Sequence, residues 1–186
     1  IICAVSVGNE VLVDWSDHRV PVSSLVKYIK TVKENITQPV TVCDNYVPWQ
    51  TGCHKVAAAV DFISIHTYPV WENKTFNQSI AYTISNYNSV CRTHPGRQVV
   101  ISEAGWATLG LDPAGKSNTA VALKHQQLYY KQINQWAARN NIILFFFEAF
   151  DENWKGSDDP LEPEKHWGLF YADRTPKPAI RHILKK

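Results

Sequence analysis

The chain has 186 residues, 45% of them hydrophobic, and a formal net charge of +2. That length and apolar content suffice for one domain with a proper core and exclude a disordered tail. The near-neutral balance gives no support for nucleic acid or membrane as the main partner, and no apolar run approaches the ~20 residues a membrane helix needs.

The chain opens inside a first apolar run, Ile1 to Val7, and contains no Met. Residue 1 is therefore read as an internal cut, so evidence on a signal peptide is missing rather than negative. After Pro21, VSSLVKYIKTVKENI sets Leu25, Ile29 and Val32 on one helical face, with Ser23 or Ser24 as the expected cap. Val40 to Cys43 and Phe62 to Ile65 are the next apolar runs. Phe76, Ile80, Ile84, Tyr87 and Cys91 then repeat the helical spacing. Val99 to Ile101 is the fourth run, Tyr129, Ile133, Trp136 and Ala137 mark another helix, and Ile142 to Phe147 is the fifth run. GSDDPLEPEK, from Gly156 to Lys165, is the most loop-like segment, and RHILKK reads as the solvated end of a terminal helix.

The runs are continuous rather than alternating, as in parallel strands covered on both faces. Their alternation with amphipathic stretches, in units of roughly 30–40 residues, predicts right-handed βαβ crossovers and an α/β domain over residues 1–186. An open sheet and the larger part of a (β/α)8 barrel both satisfy this pattern. No GxGxxG or GxxxxGK[ST] follows a strand, which removes the usual nucleotide reason for a doubly wound sheet. Cys3, Cys43, Cys53 and Cys91 show no CxxC spacing and no paired His, so no zinc site is expected. Cys43 and Cys53 either bridge a loop or stay free. Sequons at Asn35, Asn73 and Asn77 suit a secreted protein.

The strand ends carry the chemistry. The first run ends in GNE, the third in HTYP, the fourth in SEAGW and the fifth in FEAFDENWK. Barrel enzymes build their sites at this C-terminal end of the strands. Glu10 and Glu103 lie 93 positions apart, the length of three βα units, which in a barrel sets their strands across the mouth from each other. Two carboxyls about 5 Å apart suit retaining glycoside hydrolysis, one as nucleophile and one as acid/base. Two solvated strand-end acids are the bland alternative. Asn9 is positioned to donate to a sugar 2-hydroxyl. His66 and Tyr68 alternate with Thr67 and share a direction into the mouth, against the alternative of a structural histidine. Glu148 is read as a hydrogen-bonding group of the site, or else as a core acid paired to Arg or Lys. Trp49, Trp71, Trp106 and Trp154 follow strands, where flat rings stack on sugars, with core packing as the competing role. Asp44 and Asn45 are weaker candidates for holding hydroxyls. Gly105 is expected to let the chain turn sharply behind Glu103.

With these motifs in view, the chain resembles the C-terminal part of glycoside hydrolase family 17, the β-1,3-glucanase and glucanosyltransferase family of clan A. VGNE resembles the family's acid/base strand, SEAGW its nucleophile strand and HTYP its sixth-strand segment. FEAFDENWK with EKHWGLFYADRTPKP resembles its last strand and closing tail. Ala107 stands where Pro is common, and Val11 follows the NE pair. The resemblance implies strands four to eight of a TIM barrel, with the first three βα units, about a third of the barrel, absent. A fragment of that kind exposes two sheet edges and part of its core, and is not expected to be a competent enzyme alone.

By resemblance Glu10 is the acid/base and Glu103 the nucleophile. Glu152 and Lys155 are an auxiliary acid and lysine near the nucleophile, and Tyr68 is a hydroxyl close to the reacting sugar. The implied function is retaining hydrolysis of β-1,3-glucan without metal or organic cofactor. A glucanosyltransferase using the same residues and a non-catalytic glucan-binding wall protein are the alternatives. The exchange of acid and base roles calls for a raised Glu10 pKa. The remaining expectations are a β-glucan ligand, no nucleic-acid or membrane partner, a monomer when full length, and a secreted or cell-wall location.

Overall fold

The computed structural model describes residues 1–110, 121–181 and 183. It contains β1 (Val5–Asn9), α1 (Val22–Asn35), β2 (Val40–Asn45), α2 (Tyr46–Gln50), α3 (His54–Ala59), β3 (Ile63–Thr67), α4 (Phe76–Thr93), β4 (Val99–Ala104), α5 (Leu123–Arg139) and β5 (Leu144–Phe146). The strands form one five-stranded sheet in the order β1-β2-β3-β4-β5, and β1–β2 and β2–β3 pair in parallel. Sequence neighbours are sheet neighbours, as expected when each strand is followed by a crossover helix. The fold class is the expected one.

The chain divides into two compact units, residues 1–67 with 84–102, and residues 68–83 with 103–186. In the first unit, Val40, Val42, Ile63 and Ile65 are fully buried, as are Ile29 of α1, Val56 of α3 and the ring of Trp49. Burial of each such side chain contributes about 1.5–3 kcal/mol. Helix α1 begins at Pro21, whose ring presets the entry φ, and no side chain caps it, contrary to the Ser23 or Ser24 expectation. Lys33 and the Val40 amide both bond Asp61, at 2.5 and 2.7 Å, which ties α1 and β2 to the start of β3.

The second unit is built around Trp106, Trp167, Tyr129 and Ile133, all fully buried. The amide of Gln126 holds three main-chain carbonyls there, Trp106 and Trp167 at 3.1 Å and Gly168 at 2.9 Å. Lys177 is fully buried and meets Asp151 at 2.7 Å and the Thr108 hydroxyl at 2.8 Å. Gly105 does not mark a turn. A Cβ there would stand 2.1 Å from the Phe147 carbonyl oxygen, so glycine is required by close backbone approach.

Helix α4 departs from its expected stripe. Ile80, Ile84, Tyr87 and Cys91 are only half-buried, whereas Ser79, Thr83, Asn86 and Ser89 are buried. The polar face turns inward because it is internally bonded. In the second unit Thr83 pairs with the Tyr129 hydroxyl at 2.8 Å, and in the first Asn86 donates to Thr67 at 3.0 Å. Arg181 and Ile183 lie in turns, and the rest of the expected C-terminal helix end falls outside the described residues.

Candidate active site

In the first unit, the β1 register against β2 shifts between Ser6 and Asn9, and Gly8 takes φ +111°. Such a bulge re-aims the side chain that follows it. Glu10 comes next with φ +49°, a left-handed conformation that costs a non-glycine residue about 1 kcal/mol or more. The Glu10 amide is held by the Cys43 carbonyl at 2.9 Å. His66 Nδ1, on a fully buried ring at the end of β3, lies 3.1 Å from Glu10 Oε1. Toward a carboxylate that nitrogen donates. The His66 hydrogen bond, assisted by one from Trp15, outweighs burial and lowers the Glu10 pKa. The raised value expected for an acid/base is therefore corrected: an unliganded Glu10 is held in its charged form.

In the second unit, Glu103 lies within β4 rather than beyond it, because the strand runs on to Ala104. The Tyr68 hydroxyl donates to Glu103 Oε2 at 2.5 Å. Tyr68 is itself fixed edge-on by Phe147 and Trp167, with ring centroids 5.7 and 5.2 Å away. The ammonium of Lys155 stands 4.5 Å over the Phe147 ring and bonds Glu148 and Glu152 at 2.8 Å each. Burial raises Glu148 to about 7 despite that lysine, with Glu152 adding like charge. Glu148 Oε1 is buried with no hydrogen-bond partner among the described residues. Glu148 is thus a lysine-paired acid that keeps one oxygen unengaged, combining features of both readings made from sequence.

Several stacking candidates are corrected. Trp49 is fully buried and its indole N–H donates to the Ser64 carbonyl at 3.1 Å. Trp106 is fully buried against Phe76 and Tyr129. Neither ring offers a face to a sugar. Trp154 is 76% exposed and Trp71 is 39% exposed, the latter tilted against Trp167 at 5.8 Å. Asp44 is structural, accepting from the Leu12 and Asn45 amides at 2.8 Å each. Burial pushes its carboxyl up to about 6. Asn45 caps α2 through the Val47 amide. Asn9 is exposed, and its carbonyl meets His18 Nε2 at 3.0 Å.

All four cysteines are free. Burial pushes the Cys43 thiol up, but hydrogen bonds with His66, Ser6 and Ser102 prevail and lower it. Among the described residues no group of three or more His, Cys, Asp or Glu side chains is placed to hold a metal, and no helix is long and apolar enough to cross a membrane. Trp15, Trp167 and Lys177 escaped the sequence reading. The signal for Trp15 was its place five residues after Glu10 in the loop leaving the first strand.

The strand-end carboxylates on a parallel α/β sheet define a glycosidase-like barrel segment. Residues 1–168 match the BtgE/BtgC glycoside hydrolase domain, and the chain belongs to that family. A glucan 1,3-beta-glucosidase of Schizosaccharomyces pombe is 29% identical over 187 residues, covering 94% of this chain and 56% of that protein. The crystal structure of a glycoside hydrolase family 17 beta-1,3-glucanosyltransferase from Rhizomucor miehei superposes with a TM-score of 0.82 at 28% identity. The match covers 96% of this chain and 63% of that one. An active-site mutant of that enzyme has been crystallised with laminaritriose. An endo-laminarinase from Formosa, at 24% identity, shares the fold with a TM-score of 0.86 over 98% of this chain and 57% of its own. The family 17 assignment and the partial-barrel fold class both stand. The chain spans little more than half the length of these relatives.

Proposed function

We propose that the protein of which this chain is part is a retaining glycosidase acting on β-1,3-glucan, with Glu103 as nucleophile and Glu10 as acid/base. The observation that carries this reading is the Tyr68–Glu103 hydrogen bond of 2.5 Å. A hydroxyl donor orients a carboxylate without neutralising it, which suits a nucleophile. Glu103 attacks the anomeric carbon while Glu10 gives its proton to the departing oxygen, and the glycosidic bond breaks as the ester forms. Glu10 then takes a proton from the incoming hydroxyl as that oxygen displaces Glu103. Water gives hydrolysis and a sugar hydroxyl gives transfer, and the likeness to a glucanosyltransferase supports the second outcome.

Glu10 must be protonated to act first, and His66 lowers its pKa, so the reading entails an optimum on the acid side of neutrality. On substrate binding, expulsion of water raises Glu10 toward its acid role. Glu148, Glu152 and Lys155 hold sugar hydroxyls, with Trp71 and Trp154 as apolar contacts. β-Glucan is the ligand, a monomer the working state, and secretion or the cell wall the location.

The test uses the full-length protein with laminarin and sodium azide. Glu103→Ala should lose turnover and, with an activated β-glucoside, form the α-glucosyl azide. Glu10→Ala should instead form the β-azide, because azide then attacks the glycosyl-enzyme. Wild-type turnover in Glu103→Ala, or the same azide anomer from both variants, overturns the assignment.

A further inference from the structure

Trp167 takes no part in the proposed mechanism, and its ring is fully buried, away from any substrate. Three rings of the second unit nevertheless meet there edge to face. Tyr68 and Phe147 stand 5.7 Å apart at 86°, Tyr68 and Trp167 5.2 Å apart at 73°, and Phe147 and Trp167 6.2 Å apart at 67°. Each separation falls within the range of about 4.5–7 Å that aromatic pairs favour. The Tyr68 hydroxyl ends this cluster and donates to Glu103 Oε2 at 2.5 Å.

The cluster is tied to β4 and to α5. The Phe147 amide donates to the carbonyl of Ala104, the residue after Glu103, at 2.9 Å. The Trp167 carbonyl accepts from the Gln126 side chain at 3.1 Å and from the Glu148 amide at 3.3 Å. Gly105 admits this close approach, since a Cβ there would lie 2.1 Å from the Phe147 carbonyl oxygen and 3.1 Å from Trp167 Cε3. Packing alone does not explain a tryptophan at position 167. Its indole N–H is buried with no acceptor among the described residues, a cost that a hydrocarbon side chain would not carry.

We propose that Trp167 is a positioning residue for the nucleophile, acting through Tyr68. The inference rests on Glu103 being that nucleophile. Packed by Trp167 and Phe147 together, the Tyr68 ring cannot swing about its Cα–Cβ bond. Its hydroxyl therefore holds the Glu103 carboxylate in one orientation for attack on the anomeric carbon. Without Trp167 the carboxylate is chemically intact but spreads over several orientations, and a misplacement of about 1 Å at a reacting group costs up to about 100-fold in rate.

The experiment is a double-mutant cycle in the full-length protein, with kcat and KM measured on an aryl β-laminaribioside. Tyr68→Phe should lower kcat about 10–100-fold, and Trp167→Leu should lower it about 10-fold or more. The double variant should fall no more than about 3-fold below Tyr68→Phe, because the tryptophan then has no hydroxyl to aim. A double variant whose loss equals the product of the two single losses overturns the proposal and leaves Trp167 to the fold alone. Wild-type kcat in either single variant overturns it too. Trp71 also leans on Trp167, at 5.8 Å, so a change confined to KM reports that contact and counts against the proposal. Should Trp167→Leu fail to fold, Trp167→Phe, with its smaller ring, replaces it in the cycle. That variant should lose about 3–10-fold alone and nothing further in the Tyr68→Phe background, whereas an equal loss in both backgrounds refutes the coupling. Retained turnover in Glu103→Gln would instead defeat the parent reading.

Discussion

Two glutamates near strand ends, one in each unit, have basic partners and shift in opposite directions. Glu10 meets an imidazole at 3.1 Å and falls below the ordinary carboxyl range, because the hydrogen bond outweighs burial. Glu148 meets a lysine ammonium at 2.8 Å and still rises to about 7, because burial outweighs the ion pair. The nominally stronger cation has the weaker effect. Lys155 divides its charge between Glu148 and Glu152. Glu148 is also the more enclosed of the two, its side chain 15% exposed against 28% for Glu10. A basic neighbour lowers an acid only by what remains after desolvation and after its other obligations.

The largest effect expected from this rule is at a third acid–base pair. Lys177 and Asp151 are both buried, and the lysine pKa is lowered because burial outweighs the pairing. Lys177→Met leaves the Asp151 charge without its cation and should cost about 3–5 kcal/mol, read as a drop in the urea midpoint of the full-length protein. A loss below about 1 kcal/mol would mean that burial of this pair does not govern its energetics.

Glu148 gives the next effect. Its folded value of about 7 lies above the ordinary 4.5, so the folded state binds the proton more tightly. That contribution to stability is complete below about pH 4.5 and is lost as pH rises through about 7. The wild-type protein should therefore lose stability across this window with a slope of at most about 1.4 kcal/mol per pH unit from this group. Glu148→Gln should flatten the slope, measured by urea unfolding at several pH values. An identical slope in the variant would show that Lys155 holds Glu148 ionised, and the contrast with Glu10 would collapse.

How much of this was legible in the sequence depended on whether local pattern or tertiary pairing decided the outcome. The strand-end positions of Glu10, Glu103 and Tyr68 were readable because a parallel strand delivers its last residues to one end of a sheet, and that rule needs no partner. Trp49 and Trp106 were misjudged because following a strand does not say which way a ring turns, and the core claimed both. The buried polar face of α4 was invisible because its hydrogen-bond partners, Tyr129 and Thr67, come from other elements. Lys177 looked like an ordinary tail lysine, since Asp151 is 26 residues away and meets it only after folding. The Glu10 shift was predicted with the wrong sign for the same reason: the mechanism asks for a raised acid, but the packing supplies an imidazole.

The smallest effect is a displacement of the pH profile, and it tests the Glu10 side of the comparison directly. Under the proposed mechanism kcat/KM requires protonated Glu10, so it falls as pH rises through the folded pKa of that group. His66 depresses that pKa, first through its hydrogen bond. His66→Leu removes the hydrogen bond while filling the same buried space, so Glu10 should hold its proton to higher pH and the alkaline limb should move upward. The same variant should lose stability at neutral pH, because a depressed carboxyl stabilises the folded state above its ordinary value and ceases to do so as pH falls through the folded one. An unmoved limb would show that another group controls the profile. A limb displaced downward would mean that His66 had been raising Glu10, and that the hydrogen bond is not what separates Glu10 from Glu148.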